Sequence, residues 1–246
     1  MKLKYKMLVS FLSLGLIPAF IVGLIALHIA GDSLTEQAYN QLTSIRAIKQ
    51  SQIESYFDQR RRDITMLKEN VARLLNQTQA ADLSSKAHNL HNYFAQYIEA
   101  YDYYDLFLID ADGQIIYTVA READYKTNLV HGPYRDSGLG KLFDKVAASK
   151  TFRLQDFTPY APSNNDPAAF IALPIEIAEQ TLVLALQLSL ENINAVMQQR
   201  DGMGETGETY LVGQDLRMRS NSYLDPTGHS VLASFKGNIT DNGVDT

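Results

Sequence analysis

The sequence predicts an α+β protein. An N-terminal transmembrane helix and a long stalk helix lead into an antiparallel five-stranded sheet flanked by helices, and the start of a second, similar module follows. Three observations predict this. Residues 7–30 contain no Asp, Glu, Lys or Arg. Residues 32–76 contain neither Gly nor Pro. From residue 103 the apolar pattern changes from helical spacing to short aromatic and β-branched runs separated by Gly, Pro, Asn and Asp.

The apolar run of 24 residues, as a helix, spans about 36 Å, enough for a bilayer core with some tilt. Pro18 and Gly23 are tolerable in such a helix. Lys2, Lys4 and Lys6 precede it. Without them, the remaining 19 of the 22 basic residues face 28 acidic ones, a net charge of -9 against -6 for the whole chain. The positive-inside rule then puts residues 1–6 in the cytoplasm and everything after residue 30 outside. A cleaved signal peptide is the alternative, but its apolar region is typically about 7–15 residues. The acidic body argues against a nucleic-acid partner, whose phosphates require clustered Lys and Arg. The absence of cysteine excludes disulfides, thiolate metal sites and cysteine nucleophiles.

Residues 31–76 read as a stalk helix, with Asp32 or Ser33 able to cap its start. Ile45, Ile53, Phe57, Ile64, Leu67, Val71 and Leu74 recur at helical spacings and form a narrow stripe. Some 45 residues of helix would be about 67 Å long. Such a rod cannot bury its stripe against a small domain along its whole length, so a parallel homodimer through the stalk is expected. The Arg60-Arg61-Arg62 triplet reads as a solvated face paired with nearby acids rather than an anion site.

A second helix is expected over 84–100, after the polar stretch 77–82. Residues 103–110 and 114–119 read as a strand pair closed by Ala111-Asp112-Gly113, because Asp-Gly readily takes positive φ. A polar loop (120–135) and a short amphipathic helix (137–149) follow. Strands are expected at 152–157, 168–173 and 182–188, with a turn over 159–167 between the first two, and helix returns at 191–200. The arrangement fits an antiparallel sheet covered by helices on one face. The stretch GETGETYLVGQDLRMRSNS (204–222) then repeats the strand, turn, strand order loosely. The expected modules are thus a sensor at 77–200 and the truncated start of a second at 201–246.

In this order of elements the chain resembles the extracytoplasmic part of receptors with a double Cache, PAS-like sensor. The likeness rests on the basic start, the span and long helix, and YYDLFLIDADGQIIYTV. It extends through READYKTNL, GPY, SGL and PAAFIALPI, and the restart GETGETYLVGQDLRMRS. It implies a ligand-sensing region that signals across the inner membrane, on a chemoreceptor or alternatively on a histidine kinase or nucleotide cyclase. A membrane-tethered periplasmic binding module without signalling is the further alternative. It also implies a small-molecule pocket in the membrane-distal module, between the sheet and the loop with its helix. One branch of the family binds amino acids through Tyr, Arg, Trp, Tyr and Asp, and this chain has no Trp.

A small-molecule pocket needs an apolar wall and a few convergent polar groups. Tyr117 with Arg121, Asp124 and Tyr125 just beyond it are candidates. Arg121 would pair with a ligand carboxylate and Asp124 would hold an amine. The competing reading pairs Arg121, Glu122 and Asp124 with one another on an exposed loop. Asp156, Tyr160 and Phe170 add an acid and two aromatics, suited to a cationic or amphipathic ligand, although Phe170 also reads as core. His131, Tyr134 and Arg135 flank a turn. His88 and His91 are spaced for metal ligation without a third ligand, and Asp110 and Asp112 belong to a turn rather than a calcium loop. The chain has no Walker loop, GxSxG, HExxH or GxGxxG. It reads as a non-enzyme that needs no cofactor.

Overall fold

The computed structural model describes residues 3–77, 82–177 and 179–237. The chain divides into two compact units, residues 1–51 and 52–246. The first is helix throughout its described residues, part of α1 (Leu3–Gln77). It contains the single stretch, among the described residues, that is long and apolar enough to cross a membrane. Leu8, Phe11, Phe20 and Leu27 stand exposed along it. No cap forms at Asp32 or Ser33: the helix runs straight through, and the Thr35, Thr43 and Ser44 hydroxyls donate back to the carbonyls four residues earlier.

The second unit begins within α1 and holds the sheet. After α1 come α2 (Leu83–Asn89) and α3 (His91–Ala100), two helices hinged at Leu90 where one was expected. Asp82 caps α2 by accepting the Ser85 N–H at 2.8 Å. Then follow β1 (Tyr103–Ile109), β2 (Ile115–Thr118), α4 (Gly138–Ser149), β3 (Arg153–Tyr160), a short 3₁₀ turn, β4 (Asp166–Ile177), β5 (Gln180–Leu188), α5 (Leu190–Met197) and α6 (Val231–Lys236). The five strands form one antiparallel sheet in the order β2-β1-β5-β4-β3.

The sheet has a core on each face. On one side Leu106, Leu108, Tyr117, Ile171 and Leu184 pack with Phe94 of α3 and with Ile64, Leu67, Val71 and Leu75 of α1. On the other, Phe107, Ile109, Tyr160, Phe170 and Ala185 pack with Leu139, Leu142, Phe143 and Val146 of α4. Helices therefore cover both faces rather than the one expected. The stalk's stripe also finds cover within this unit: its lower part is sheet core, with Leu75 rather than Leu74 turned inward. Arg60 is likewise not solvated. It is 8% exposed, lies over the Tyr56 and Tyr103 rings, donates to the Tyr101 carbonyl at 2.7 Å and pairs with Asp63 at 3.3 Å.

The repeated hairpin of 204–222 shrinks to one bridge, Val212 to Met218, closed by Gly213 N–H to the Arg217 carbonyl at 2.8 Å. The end of the expected second module, residues 238–246, lies outside the described residues.

Candidate functional site

Strand alternation decides what the α4 face of the sheet presents. Leu106 and Leu108 point to the α1 side and Phe107 and Ile109 to the α4 side, so the alternation puts Asp105 on the α4 side, opposite Gln187 of β5 in the ladder. Tyr160 and Phe170 lie on that same face, their rings edge to face at 4.9 Å between centroids. The loop after β2 is held over this end of the sheet by its own turns. Thr127 donates through both its N–H and its hydroxyl to the Asp124 carbonyl, at 2.9 and 2.7 Å.

The result is a buried acidic network. Asp105 is fully buried; it accepts the Thr118 hydroxyl, and its Oδ1 accepts the N–H groups of Leu106, Val119 and Ala120 at 2.7, 2.9 and 3.0 Å. Burial pushes its carboxyl up to about 7, against those hydrogen bonds and with help from the Asp124 charge. Asp124 is also fully buried, and the Tyr160 hydroxyl donates to its Oδ2. Burial raises its carboxyl above the ordinary range, and the nearby Glu122 charge adds to the effect. Burial and these acids together hold the Tyr160 phenol far above its usual value. Glu122 accepts from the Tyr104 hydroxyl at 2.7 Å and from the Ser163 hydroxyl at 2.7 Å. Gln187 donates to the Ser163 Oγ at 3.3 Å.

Of the residues singled out in the sequence, the structure brings Asp124, Tyr160 and Phe170 together. Tyr117 lies on the opposite face, where its hydroxyl meets His91 Nδ1 at 2.9 Å and its ring packs on Phe94. Tyr125 turns to α2, its hydroxyl 2.9 Å from His88 Nε2. Asp156 leaves the sheet toward the segment after α5, where Arg219 Nε donates to both its oxygens at 2.9 and 3.0 Å. Arg121 is exposed, with a backbone φ of 54°. The loop pairing among Arg121, Glu122 and Asp124 is replaced: Asp124 is buried and takes the Tyr160 hydroxyl, and Glu122, part-exposed, takes those of Tyr104 and Ser163. His131 and Arg135 are exposed, and Arg135 pairs with Asp136 at 3.6 Å. His88 also meets the Ser84 carbonyl at 2.7 Å, and no group of side chains suited to a metal ion occurs among the described residues.

Sequence reasoning missed Asp105, Glu122, Ser163 and Gln187 as members of one network. Asp105 had a signal: it is a charge inside the apolar strand YYDLFLID, and buried acids are rare unless they have a task. The others sit on different elements and meet only through the fold.

No family model matches the chain, and no curated protein matches it. Solved structures do. The ligand-binding domain of the Pseudomonas aeruginosa amino acid chemoreceptor PctC, in complex with GABA, is 19% identical with a TM-score of 0.51, covering 74% of this chain and 75% of that one. The ligand-binding domain of the Pseudomonas fluorescens chemoreceptor CtaA, in complex with L-serine, is 18% identical with a TM-score of 0.52, covering 79% and 77%. The sensory domain of the Campylobacter jejuni chemoreceptor Tlp3 is 13% identical with a TM-score of 0.56, covering 79% and 77%. At such identities the likeness is one of fold. Strand order, a long helix packed on one face and these likenesses together make the fold that of the Cache-type, PAS-like sensor domains.

Proposed function

We propose that this chain is the extracytoplasmic, ligand-sensing region of a membrane-anchored receptor of the chemoreceptor type, and that a small molecule binds on the α4 face of its sheet. One observation carries the reading: buried polar groups of Asp105, Asp124, Thr158 and Gln187 share that face under a loop, and three of their atoms have no hydrogen-bond partner. Those atoms are Asp124 Oδ1, Thr158 Oγ1 and Gln187 Oε1. Leaving a buried polar atom unpaired costs on the order of 1–3 kcal/mol, so three on one face of the sheet suit a face completed by a ligand. The solved structures of like fold, two of them with amino acid-like ligands, support a sensor over an enzyme. The apolar stretch of α1 supports the membrane anchor. A ligand would act by binding one of two arrangements of the sensor better than the other.

Two measurements test this. Thermal unfolding of the full chain in lipid nanodiscs, with amino acids, organic acids and amines, should show stabilisation by at least one class. At a hundredfold excess over Kd the gain is about 2.7 kcal/mol. No shift with any class would overturn ligand sensing. For topology, the chain has no cysteine, so Asp136→Cys and Lys4→Cys each offer a single label. In intact cells a membrane-impermeant maleimide should label the first and not the second, and the reverse result would overturn the orientation.

A further inference from the structure

The loop after β2 straddles the edge of the sheet. β2 is the outermost strand on its side, and Asp124 and Tyr125, consecutive in the chain, go to opposite faces of it. Asp124 takes the Tyr160 hydroxyl on the α4 side. The Tyr125 hydroxyl lies 2.9 Å from His88 Nε2 of α2, and α2 packs on the α1 side through Ala87. Two residues with left-handed backbone, Arg121 (φ 54°) and Lys126 (φ 64°), bound the segment that carries both side chains. Within it the Tyr125 N–H donates to the Glu122 carbonyl at 3.0 Å and the Thr127 N–H to the Asp124 carbonyl at 2.9 Å. Asp124 and Tyr125 thus belong to one short turn, and neither shifts without the other.

The bond to His88 has a direction. His88 Nδ1 lies 2.7 Å from the Ser84 carbonyl, which can only accept, so Nδ1 carries the proton. In the neutral imidazole Nε2 is then the acceptor, and the Tyr125 hydroxyl donates to it. The acceptor is itself held in place. Asp82 caps α2, the Ser84 hydroxyl donates to the Ile116 carbonyl of β2 at 3.0 Å, and the His88 ring stands edge-on to Tyr117 at 5.4 Å. A second tie of the same chemistry, the Tyr117 hydroxyl to His91 Nδ1 at 2.9 Å, holds β2 and not the loop. Resting on the sensor reading, we propose that His88 is a positioning residue for the ligand site: from the other face of the sheet it sets, through Tyr125, where Asp124 stands. Such a linkage is reciprocal, so a change at Asp124 returns to α2 through the same two residues. From α2 it reaches α3, whose Phe94 packs with Ile64 and Leu67 of α1.

The test needs no ligand. The full chain in nanodiscs is prepared with its aspartate and histidine side chains isotope-labelled for NMR. Asp124 is assigned by its loss in Asp124→Asn, and His88, one of five histidines, by its loss in His88→Gln. In mildly alkaline buffer His88 should show the Nδ1–H tautomer, and Asp124→Asn should shift its ring signals. Burial raises the Asp124 carboxyl, so its titration reports where it stands. Tyr125→Phe and His88→Asn should each bring that titration down toward the ordinary aspartate range, and the two together should do no more than either alone. Glutamine at 88 offers a carbonyl oxygen at the reach of Nε2, whereas asparagine replaces only Nδ1, so His88→Gln should retain the raised titration. Tyr117→Phe, which cuts the matching bond on β2, should leave it unchanged. A thermal melt of each variant shows that it is folded, and should Tyr125→Phe or His88→Asn fail to fold, the tautomer in the unsubstituted chain decides. An Nε2–H tautomer at His88, an Asp124 titration indifferent to Tyr125→Phe, or equal retention by asparagine and glutamine would overturn the positioning role. None of these outcomes touches the sensor reading, which falls instead if no class of ligand shifts the melt.

Discussion

Asp105 shows how one residue sets a pH response. Its folded carboxyl stands at about 7 against 3.8 for an ordinary aspartate. Between those values the folded chain binds more protons than the unfolded one, so stability falls as pH rises. The contribution is fully present below about pH 4 and lost as pH passes through about 7. Asp124, raised for the same reason, acts with the same sign. The urea midpoint should therefore be higher at pH 5 than at pH 8, and Asp105→Asn should flatten that slope. Equal slopes in the two proteins would mean that the acid's burial is not what titrates. A different residue-scale constraint was legible in the sequence. Gly113 closes the β1–β2 turn with φ of +84°, and a Cβ there would lie 2.7 Å from Val130 Cγ2. Gly113→Ala should cost about 1–3 kcal/mol, read as a lowered urea midpoint.

At the scale of elements, the strands declared themselves by their aromatic and branched runs, but their ends did not. β3 and β4 reach Tyr160 and Asp166, past two prolines that suggested a turn. The ladder pairs Pro159 with Pro167. It tolerates them because β3 is the sheet edge and β4 is paired with β5 only from Ala169 onward, so neither missing N–H breaks a central ladder. The expected hairpin at 204–222 failed for the opposite reason. Backbone bonds join its two arms only around the bridge, Gly213 N–H to the Arg217 carbonyl and Arg219 N–H to the Leu211 carbonyl, and side chains take the N–H groups beside them: Leu211 N–H donates to Ser220 Oγ at 2.8 Å, and Met218 N–H to Ser234 Oγ at 2.8 Å. Arg219 ties this segment to β3, pairing with Asp156 and Asp215 at 2.9 Å each while lying over Phe235. β3 thus carries Tyr160 inward to the acidic network and Asp156 outward to Arg219. Lysine cannot reproduce the fork, since one ammonium would have to replace Nε and Nη2 donating in different directions. Arg219→Lys should therefore raise amide exchange across 210–220 nearly as much as Arg219→Ala, with β4 and β5 unchanged. Full protection in the lysine variant would show that charge alone holds the segment.

For the molecule as a whole, the sequence suggested a long helix followed by a five-stranded sheet, with the helix's stripe waiting for a twin. In the second unit the same stripe is sheet core: Ile64, Leu67, Val71 and Leu75 are fully buried beside Leu106, Leu108 and Leu184. A periodic stripe says only that one face of a helix is covered, and what covers it depends on contacts between residues far apart in sequence. Burying an aliphatic side chain is worth about 1.5–3 kcal/mol. Four of them amount to roughly 6–12 kcal/mol, on the scale of a domain's entire stability, about 5–15 kcal/mol. The sheet therefore cannot stand without the end of α1. Residues 82–237 alone should show no cooperative melt by circular dichroism and should bind a hydrophobic dye, whereas residues 52–237 should melt cooperatively and leave the dye free. Leu67→Ala in the full chain should cost about 2–5 kcal/mol. A cooperative melt of residues 82–237 at the temperature of the longer fragment would return α1 to the role of a simple stalk. It would also mean that the packing of the sheet on α1 contributes little to its stability.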